Sequence, residues 1–425
     1  MKKILIISYY WPPNTGSGVQ RWLKFSKYLL NFGWKPIIVT PENPYIELKD
    51  NEMEENISED IDVIKFPIWE PYSIKDSLFG KSKKSQTSGL ISKDKSLKDK
   101  LLNWIRGNIF IPDPKKYWIT PTFNNLKKIV KDQKIEYVIS TGPPHSMHLI
   151  ALQLKAKFKN IKWIADFRDP WSKLDILDDF NLTKRSLEKH KMLELKVLKN
   201  ASLVLTVGER WANDFIKLGA KNVEIITNGY DDEDFIDFKS TTTNKFIVGH
   251  FGVMNHLRNP SKLWASLDDL CNENDDFNKK LEIRLSGNID QKILDEIKAF
   301  PNLKSKLVFL GYLKHSEVIK EYSKANLLLL LIFNSKSGEG NYPGKIFEYI
   351  ATKKPILSFG PNESDVKNFL KKGYGFYHSY LTESDSLKEN ILNIFNNKND
   401  KNDIDSSIYS RKFLTQKLHQ LIEKI

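Results

Sequence analysis

The chain has 425 residues, of which 40% are hydrophobic and 12% aromatic, so it is long enough for two domains with sizeable cores, and global disorder is excluded. The formal net charge of +13 favours anionic partners such as nucleotides, phospholipid headgroups or nucleic acid, although any lysine-rich protein has the same balance. The single cysteine, Cys271, excludes an intrachain disulfide and a zinc site built from several cysteines, as is typical of the reducing cytoplasm.

The apolar runs are short. The opening MKKILIIS has two lysines, but its apolar run is too short for a secretory signal. The longest run, ANLLLLLIF, is about half of a membrane span. We therefore expect a cytoplasmic protein whose contact with a membrane is peripheral.

Strands and helices alternate from the start of the chain. ILII is typical of a strand with apolar residues on both faces, and VQRWLKFSKYLLNFG has helical spacing that stops at Gly33. PIIVT completes a βαβ unit, and the pattern recurs at YVIS, KWIA and LVLT. This alternation predicts a parallel sheet covered on both faces.

A second alternating series follows a polar stretch. Residues 236–245 are threonine-rich and indicate a linker, after which come FIVGHFG, LEIRLSG, KLVFLG, LLLLLIF and PILSFG. The sequence therefore predicts two α/β domains, over residues 1–237 and 245–404. The last segment, 405–425, contains the helical pattern SRKFLTQKLHQLIEKI, whose packing partner the pattern does not specify.

A basic insert, at about residues 75–110, interrupts the first series. Residues 75–106 hold nine Lys or Arg and three Asp. This composition is typical of a helix on an anionic membrane surface, so residues 81–106 are a candidate membrane contact, strengthened by Lys81, Lys83 and Lys84. A soluble helix docked on its own domain is the alternative. The helix predicted over SLKDKLLNWIRG has lysines opposite an apolar face made of Leu97, Leu101, Trp104 and Ile105.

Ligands of doubly wound sheets bind beyond the carboxyl ends of the strands, so the loops after the strands are candidate sites. In PPNTGSGVQR, Gly16 and Gly18 precede a helix whose backbone N–H groups can face an anion. This is not a dinucleotide fingerprint, because Arg21 stands at the third glycine position and Thr40 closes the next strand. An ordinary Gly/Pro turn is the alternative.

Two further loops of the first domain carry polar side chains. In STGPPHSMHLIA, His145 lies at a predicted helix start and is a catalytic candidate, while His148, inside the helix, is expected to be structural. In DFRDPW, Asp166, Arg168 and Asp169 crowd one strand end, where Arg168 can bind a phosphate or carboxylate bidentately. Mutual pairing that stiffens the turn is the alternative for these charges.

In the second domain, GHFGVMNHLRNP offers Gly252, which permits close approach of a ligand to the backbone, and the cation Arg258. The stretch GEGNYPGKIFEYIATKKPIL joins two predicted core strands through a helix. Its spacing places Lys345, Glu348 and Thr352 on one helical face, with Ile346, Phe347 and Ile350 turned inward. A nucleotide needs a cation for its diphosphate and a carboxylate for its ribose, and one helical turn offers both.

That stretch is not a Walker A loop. Such a loop needs a glycine five residues before Gly344, and this position is Glu339. Lys345 is therefore expected to touch a phosphate in a different manner.

Taken together, these motifs resemble GT-B-type glycosyltransferases of the large retaining family 4, over nearly the whole chain. The resemblance rests on PPNTGSGVQR, GPPHSMHLIA with ADFRDPW, TNGYD and, most specifically, PGKIFEYIATKKPIL. The most similar members belong to bacterial capsule, O-antigen or exopolysaccharide assembly. The resemblance implies two Rossmann-like domains facing across a cleft, with the final helix crossing back to the first.

The resemblance also implies roles for individual residues. The donor, a UDP-linked sugar, would be held by Gly16, Gly18 and the second domain, and a saccharide or polyprenyl-linked acceptor would lie at Asp166, Arg168 and Asp169. His145 would face the transferred sugar or the acceptor. The remaining donor contacts would be Gly252, Arg258 and Lys345 at the diphosphate, Glu348 at the ribose and Tyr312 near the base.

One departure from the family pattern concerns Glu339. The family often has two glutamates eight residues apart, the second matching Glu348, and here Gly340 occupies the first position. Glu339, one residue away, is the remaining candidate for contact with the donor sugar. A retaining transfer without a nucleophile would proceed by same-face displacement, in which the leaving phosphate helps to deprotonate the acceptor.

Neither a metal nor another cofactor is expected, since the family needs none and the acidic triplet at residues 232–234 is typical of a surface turn. Two other functions remain open. A sugar-nucleotide epimerase of the same architecture would turn over its substrate without an acceptor. A non-enzymatic polyanion binder would bind nucleic acid with steep salt dependence, but no nucleic-acid motif is present, so nucleic acid is not an expected partner.

Overall fold

The structure, a computed structural model, divides the chain into two compact units. The first contains Met1–Thr227 and Arg411–Ile425, and the second contains Asn228–Ser410. Each is a parallel sheet with helices between its strands, so the predicted two-domain α/β architecture is confirmed. The structure describes residues 1–15, 17–46, 49, 53–54, 57–70, 97–382, 384–397 and 405–425.

The sheet of the first unit is parallel throughout. Within its described residues the strands are β1 (Lys2–Ile7), β2 (Trp34–Pro41), β3 (Asp62–Phe66), β4 (Tyr137–Gly142), β5 (Lys162–Phe167), β6 (Leu203–Thr206) and β7 (Val223–Ile225). Their order is β3-β2-β1-β4-β5-β6-β7. Because β1 and β4 are neighbours, the chain reverses its direction of travel across the sheet between them.

Helices cover this sheet on both faces. They are α1 (Ser17–Leu29), α2 (Leu97–Asn108), α3 (Ile119–Asp132), α4 (Ser146–Lys157), α5 (Lys184–Asn200) and α6 (Glu209–Lys217). In α1, Val19, Trp22, Phe25 and Leu29 recur at helical spacing, and all are fully buried. The helical region ends where predicted, at Gly33, whose φ of 77° is a left-handed conformation that glycine adopts readily.

The second unit has a similar plan. Its described strands are β8 (Phe246–Phe251), β9 (Leu281–Ser286), β10 (Leu307–Phe309), β11 (Leu327–Leu331), β12 (Ile356–Gly360) and β13 (Phe376–Ser379). They are parallel, in the order β10-β9-β8-β11-β12-β13. The leucine run of β11 is buried, so the longest apolar run of the sequence is a core strand.

Helices connect these strands. They are α7 (Ser261–Glu273), α8 (Asp275–Lys280), α9 (Gln291–Ala299), α10 (His315–Lys324), α11 (Lys345–Ala351), α12 (Asp365–Leu370) and α13 (Ser384–Phe395). Cys271 on α7 is buried in the core, and its thiol is free. No helix in the described ranges combines the length and the apolar character needed to cross a bilayer.

The C-terminal helix α14 (Arg411–Lys424) belongs to the first unit. Leu414, Leu418 and Ile422 are buried in the same core as α1. Trp34 Nε1 also donates a hydrogen bond to His419 Nδ1 at 3.0 Å. The expected return of the final helix to the first domain is therefore confirmed.

The boundary between the units lies at 227/228, ten residues before the predicted end of the first domain at 237. Tyr230 explains the difference, because its N–H donates to the Tyr409 carbonyl at 3.2 Å and its ring packs edge-on against Phe235. Residues 405–410, predicted with the final helix, accordingly belong to the second unit.

Most of the basic insert lies outside the described residues, including Lys81, Lys83 and Lys84. The predicted helix is present as α2. Its end packs tightly, since a Cβ on Gly107 would lie 2.5 Å from the Phe180 Cβ. Leu101 and Trp104 remain exposed, at 59% and 40%. The helix thus docks on its own domain at one end and leaves apolar side chains at the surface.

Candidate functional site

In the second unit, candidate residues gather where the strand order reverses. The adjacent strands β8 and β11 lead in opposite directions across the sheet, which is the switch point where ligands of such sheets bind. Gly252 and Arg258 follow β8, and the chain after β11 leads into α11 with Lys345 and Glu348. Two loops chosen from sequence alone therefore meet at one edge of the sheet.

Lys345 packs directly over the loop after β8. A Cβ on Gly252 would lie 2.5 Å from the Lys345 Nζ, so the ammonium occupies the space that a side chain at this position would fill. Burial lowers the pKa of Lys345, the nearby Glu348 carboxylate opposes the shift, and the Arg258 charge adds to it. Among the described residues, no oxygen forms a hydrogen bond or ion pair with this ammonium. The site therefore holds a half-buried cation whose charge a bound anion would balance.

Arg258 supplies a second cation to this loop. Its guanidinium lies over the Phe333 ring, 3.5 Å from the centroid, and its Nε has no hydrogen-bond partner in the described chain. Burial lowers its pKa to about 10, which still leaves it charged at neutral pH. The Nδ1–H of His250, which is buried near the end of β8, donates to the Leu329 carbonyl at 2.9 Å, and burial lowers the pKa of this histidine to about 3. The positive charge here thus comes from Arg258 and Lys345.

Glu348 lies one turn after Lys345 and is ionised. Burial raises its pKa, but the hydrogen bond and charge of His315, the Tyr322 hydroxyl and the Lys345 ammonium together lower it below the ordinary value. Tyr322 donates to Oε2 at 2.8 Å, and His315 Nε2 lies 3.2 Å from Oε1. Neither partner was predicted from the sequence. The available signal was that His315 and Tyr322 lie seven residues apart, on one side of the helix that follows β10.

Helix α11 has the predicted two faces. Ile346, Phe347 and Ile350 are buried in the core, and Lys345 and Glu348 are half-buried on the other side. Thr352 was expected to share the polar face, and this is wrong: it follows the helix end, is buried, and its hydroxyl donates to the Tyr349 carbonyl at 2.6 Å. Its hydroxyl closes the last helical turn.

Two other predicted donor contacts lie farther along the chain. Tyr312 follows the edge strand β10 and is 63% exposed. The preceding residue, Gly311, accepts from the N–H of Gly287 at 2.8 Å, and Gly287 packs against the backbone of Gly252. Glu339 is half-buried in the short 3-10 helix Ser337–Gly340. Both residues remain candidates, since neither is buried in the core.

In the first unit, the corresponding reversal lies between β1 and β4. Gly16, after β1, lies outside the described residues. Gly18 faces Arg168, because a Cβ there would be 3.0 Å from both Arg168 Nη1 and the Tyr10 ring. The loops after β1, β4 and β5 therefore meet as predicted for a shared edge.

His145 is the N-cap residue directly before α4 and is buried, with 4% of its surface exposed. Its ring stacks on Trp171 at 4.8 Å and 2°, and Trp171 Nε1 donates to His190 Nδ1 at 3.0 Å. Neither ring nitrogen of His145 has a well-formed hydrogen bond with a described residue. Burial, followed by the nearby His148, lowers the His145 pKa well below its ordinary value, so the imidazole is neutral.

His148 has the features of a core histidine. Its Nδ1 lies 2.8 Å from Ser140 Oγ, and its ring stacks on Phe167 at 4.4 Å. Burial lowers its pKa to about 3. These contacts agree with the structural role expected from its position inside the helix.

Asp166 is placed differently from the acceptor contact that was predicted. Its carboxylate is fully buried and accepts from Arg21 Nε and Nη2 at 3.1 and 2.8 Å, from Trp22 Nε1 at 2.7 Å and from Thr141 Oγ1 at 2.9 Å. These hydrogen bonds hold α1, β4 and β5 together, and the buried carboxylate has no exposed surface at which a saccharide acceptor could bind. Arg21, the residue at the third glycine position, is therefore a buried structural cation.

Arg168 and Asp169 remain at the surface of this loop cluster, and both are half-buried. Arg168 Nη2 donates to the Pro143 carbonyl, while its Nε has no partner in the described residues. Burial raises the pKa of Asp169, and the Arg168 charge opposes that rise. Arg168 thus keeps a donor for an anionic group beside His145.

The first unit also contains a cavity of about 200 Å³ that the sequence did not predict. It lies beside the carboxyl end of β2, and Trp11, whose buried Nε1 has no described hydrogen-bond partner, is one of its walls. Its lining combines proline and tryptophan with charged residues, two of which, Lys65 and Glu54, pair with each other at 3.1 Å. The lining residues are Trp11, Pro12, Pro13, Thr40, Pro41, Glu42, Pro44, Ile46, Lys49, Glu54 and Lys65.

The described residues contain no group of three or more His, Cys, Asp or Glu side chains placed to hold a metal ion. The acidic triplet at residues 232–234 lies in a short 3-10 helix, Asp232–Phe235. The side chain of Asp231 caps this helix by accepting from the Glu233 N–H. Asp234 faces His315, with 3.8 Å between Oδ2 and Nδ1.

No protein-family model and no curated protein sequence matches the chain. Solved structures match it along its whole length. Sucrose-phosphate synthase from Thermosynechococcus elongatus aligns at 13% identity and a TM-score of 0.64, covering 100% of this chain and 99% of that one. A glycosyltransferase from Rickettsia africae aligns at 16% identity and a TM-score of 0.62, covering 100% and 98%.

The lipopolysaccharide outer core galactosyltransferase WaaB aligns at 9% identity and a TM-score of 0.58, covering 100% of both chains. A putative UDP-N-acetylglucosamine 2-epimerase from Listeria monocytogenes aligns at 11% identity and a TM-score of 0.57, covering 100% and 96%. The two-domain α/β fold is therefore shared with glycosyltransferases of known structure.

Proposed function

We propose that this protein is a glycosyltransferase that moves a sugar from a nucleotide-sugar donor, UDP-linked, to a saccharide or lipid-linked acceptor in surface polysaccharide assembly. The observation that carries the proposal is the placement of Lys345, Arg258 and Glu348 at the switch point of the second sheet. The fold shared with glycosyltransferases supports it.

Lys345 and Arg258 would bind the donor diphosphate. Both side chains are partly removed from water, and charge–charge interactions are stronger there than in bulk solvent. As the glycosidic bond to phosphate breaks, negative charge grows on the leaving oxygen, and fixed cations stabilise that charge without rearranging. Gly252 would leave room for the diphosphate to approach the backbone beside Lys345. Glu348, one helical turn away, would accept hydrogen bonds from the ribose hydroxyls.

The first unit would hold the acceptor side of the reaction. His145, neutral at physiological pH, would face the transferred sugar, and Arg168 would bind a phosphate or carboxylate. The cavity walled by Trp11 is a candidate acceptor pocket. We infer transfer with retention: the acceptor oxygen bonds to the anomeric carbon from the face that the phosphate leaves, and the phosphate oxygen takes the acceptor proton. The proposal includes no metal and no other cofactor.

We also propose that the protein binds an anionic membrane surface peripherally. Trp69 packs edge-on against Tyr117 at 4.8 Å, and the Lys116 ammonium lies 5.0 Å above the Tyr117 ring and 5.5 Å from that of Phe110. Trp69, Tyr117 and Ile109 are 51%, 42% and 49% exposed. We call Trp69, Ile109, Phe110, Lys116 and Tyr117 the aromatic–basic patch; exposed aromatic rings beside a lysine suit a lipid headgroup layer.

A sugar-nucleotide epimerase is the second candidate, favoured by the fold shared with the putative epimerase from Listeria monocytogenes. Both candidates require a nucleotide-sugar site. They differ in the acceptor, because an epimerase converts its substrate without one.

Calorimetric titration with UDP-, GDP- and ADP-sugars tests the donor site. We expect one nucleotide class to bind and to raise the melting temperature by mass action. Absence of binding by every nucleotide sugar of the three bases would contradict the proposal. Conversion of a bound nucleotide sugar in the absence of any acceptor would favour the epimerase.

A further inference from the structure

Helix α10 holds Glu348 at both carboxylate oxygens. The Tyr322 hydroxyl donates to Oε2 at 2.8 Å, and His315 Nε2 lies 3.2 Å from Oε1. His315 and Tyr322 are seven residues apart, which is two helical turns, so both reach from the same side of α10. The carboxylate is therefore oriented without help from a ligand.

The donor atoms of α10 are themselves fixed. Tyr322 is fully buried, and its ring packs edge-on against Phe251 at 5.3 Å and against Tyr349 at 5.2 Å. These contacts set the position of its hydroxyl. His315 Nδ1 lies 3.8 Å from Asp234 Oδ2, on the side away from Glu348. Side chains locked by packing keep a functional group in one geometry.

The remaining acceptor capacity of Glu348 suits a vicinal diol. An ionised carboxylate has about four lone-pair sites, two on each oxygen. Tyr322 uses one site on Oε2 and His315 one on Oε1, so each oxygen keeps about one more. Hydroxyls on two adjacent carbon atoms, such as the 2′ and 3′ positions of a ribose, can donate one hydrogen bond to each.

We propose that Tyr322 and His315 are positioning residues that make the nucleotide site selective for ribonucleotides over 2′-deoxyribonucleotides. The inference rests on the proposed function, because it takes Glu348 as the ribose carboxylate. A site built to receive a hydroxyl rejects the analogue that lacks it, since one acceptor position of the half-buried carboxylate then has no donor from the ligand. The discrimination depends on a fixed carboxylate, because a mobile one can turn to water or to the remaining hydroxyl.

The test compares UDP, 2′-deoxy-UDP and inorganic pyrophosphate by calorimetry, with the GDP and ADP pairs as further probes. The wild-type protein is expected to prefer the ribonucleotide by about tenfold or more. Tyr322→Phe should remove most of this preference, because UDP affinity falls by about tenfold while 2′-deoxy-UDP and pyrophosphate change by less than about twofold. His315→Leu, at a half-buried position less critical for folding, should act in the same direction.

Tyr349→Phe is the matched control. Tyr349 is equally buried and packs against Tyr322, but its hydroxyl makes no hydrogen bond to Glu348. It should leave the preference unchanged. Equal weakening of UDP and 2′-deoxy-UDP by Tyr322→Phe, or a wild-type protein that binds both alike, would overturn the selectivity while leaving the proposed function standing. A wild-type protein that binds no nucleotide of any base would overturn both.

Discussion

Arg21 and Asp166 form a bidentate ion pair in which neither side chain has any exposed surface. Arg21 lies on α1 and Asp166 near the end of β5, so the pair ties the helix after the first loop to the strand that precedes DFRDPW. Arg21 also donates to the carbonyls of Ile226 and Thr227. The carboxyl edge of the first sheet is thus braced by a buried charge pair.

Replacing Arg21 with Met should lower the free energy of unfolding by about 3–5 kcal/mol, because the Asp166 carboxylate stays buried without its cation. Urea denaturation measures this. Replacing both residues, Arg21→Met with Asp166→Leu, should recover part of the loss. Lys2→Met, which breaks an exposed pair with Glu423, should change little. An Arg21→Met protein as stable as the wild type would contradict the assignment.

Stability should fall as the pH drops below about 6.5, because several histidines are buried in the neutral form. Burial lowers the pKa of His148 and His250 to about 3 from an ordinary value of 6.5. Below pH 6.5 the unfolded chain binds protons that the folded chain does not. Each such histidine therefore lowers the free energy of unfolding by about 1.4 kcal/mol per pH unit down to about pH 3.

Urea denaturation between pH 7.5 and pH 5 checks this slope. His148→Gln should flatten it by about 1.4 kcal/mol per pH unit, whatever its effect at neutral pH. A slope that is the same in the His148 variant and the wild type would show that His148 is not buried neutral.

Lys345 and Glu348 should have separable effects on nucleotide binding. Lys345→Met should weaken UDP and pyrophosphate alike, by about 10- to 100-fold, because it removes the cation at the diphosphate. Glu348→Gln should weaken UDP and leave pyrophosphate nearly unchanged. Calorimetry with both ligands measures the split. Lys336→Met, at an exposed lysine of the same unit, is the control. If both variants fold and bind UDP as the wild type does, Lys345 and Glu348 have a structural role and do not contact the nucleotide.

Gly252→Ala should weaken nucleotide binding with little loss of stability. The new Cβ would lie 2.5 Å from Lys345 Nζ, at the far end of a flexible side chain that can swing away. The ammonium then leaves its place, so diphosphate affinity should fall by about tenfold while the melting temperature changes little. Gly344→Ala is the control, since a Cβ there meets nothing within 4 Å. If the Gly252→Ala protein binds the nucleotide with unchanged affinity, Lys345 does not contact the diphosphate.

The aromatic–basic patch can be tested by flotation with liposomes. Trp69→Ser combined with Tyr117→Ser should reduce binding to vesicles of anionic lipid, because the exposed rings no longer insert between headgroups. Raising the salt concentration should also release the wild-type protein. Leu381→Ser, at a residue 77% exposed in the second unit, is the control. Equal flotation of the patch variant and the wild type would remove the membrane role.

Hydrophobic patterning was enough to predict the alternation, the two sheets and the strand ends that carry Gly252, Lys345 and Glu348. Runs such as LLLLL and ILII are unambiguous because both faces of a parallel strand are buried. The partners of a site residue were harder to predict, because they come from elements far apart in sequence. His315 and Tyr322 precede Glu348 by 33 and 26 residues, and only the packing of α10 against α11 reveals their contact.

The charges of DFRDPW show the same limit. The sequence left open whether Asp166 binds a ligand or stiffens the turn, and its partner Arg21 lies 145 residues earlier. Thr352 was misplaced for a local reason: helical spacing was extended one residue beyond Ala351, where the helix ends. Spacing predicts which residues share a face, but the end of a helix depends on the contacts of its last turn.

Because Arg411–Ile425 completes the first unit, that unit is discontinuous in sequence and the second is inserted within it. During synthesis, residues 1–227 therefore wait for the whole second unit to be translated, about 10 to 40 s at ordinary elongation rates, before α14 can cover Trp22 and Phe25. Over that interval the apolar side chains of α1 that pack against α14 in the complete unit lack this cover. The second unit, continuous from residue 228 to 410, can fold as soon as it emerges.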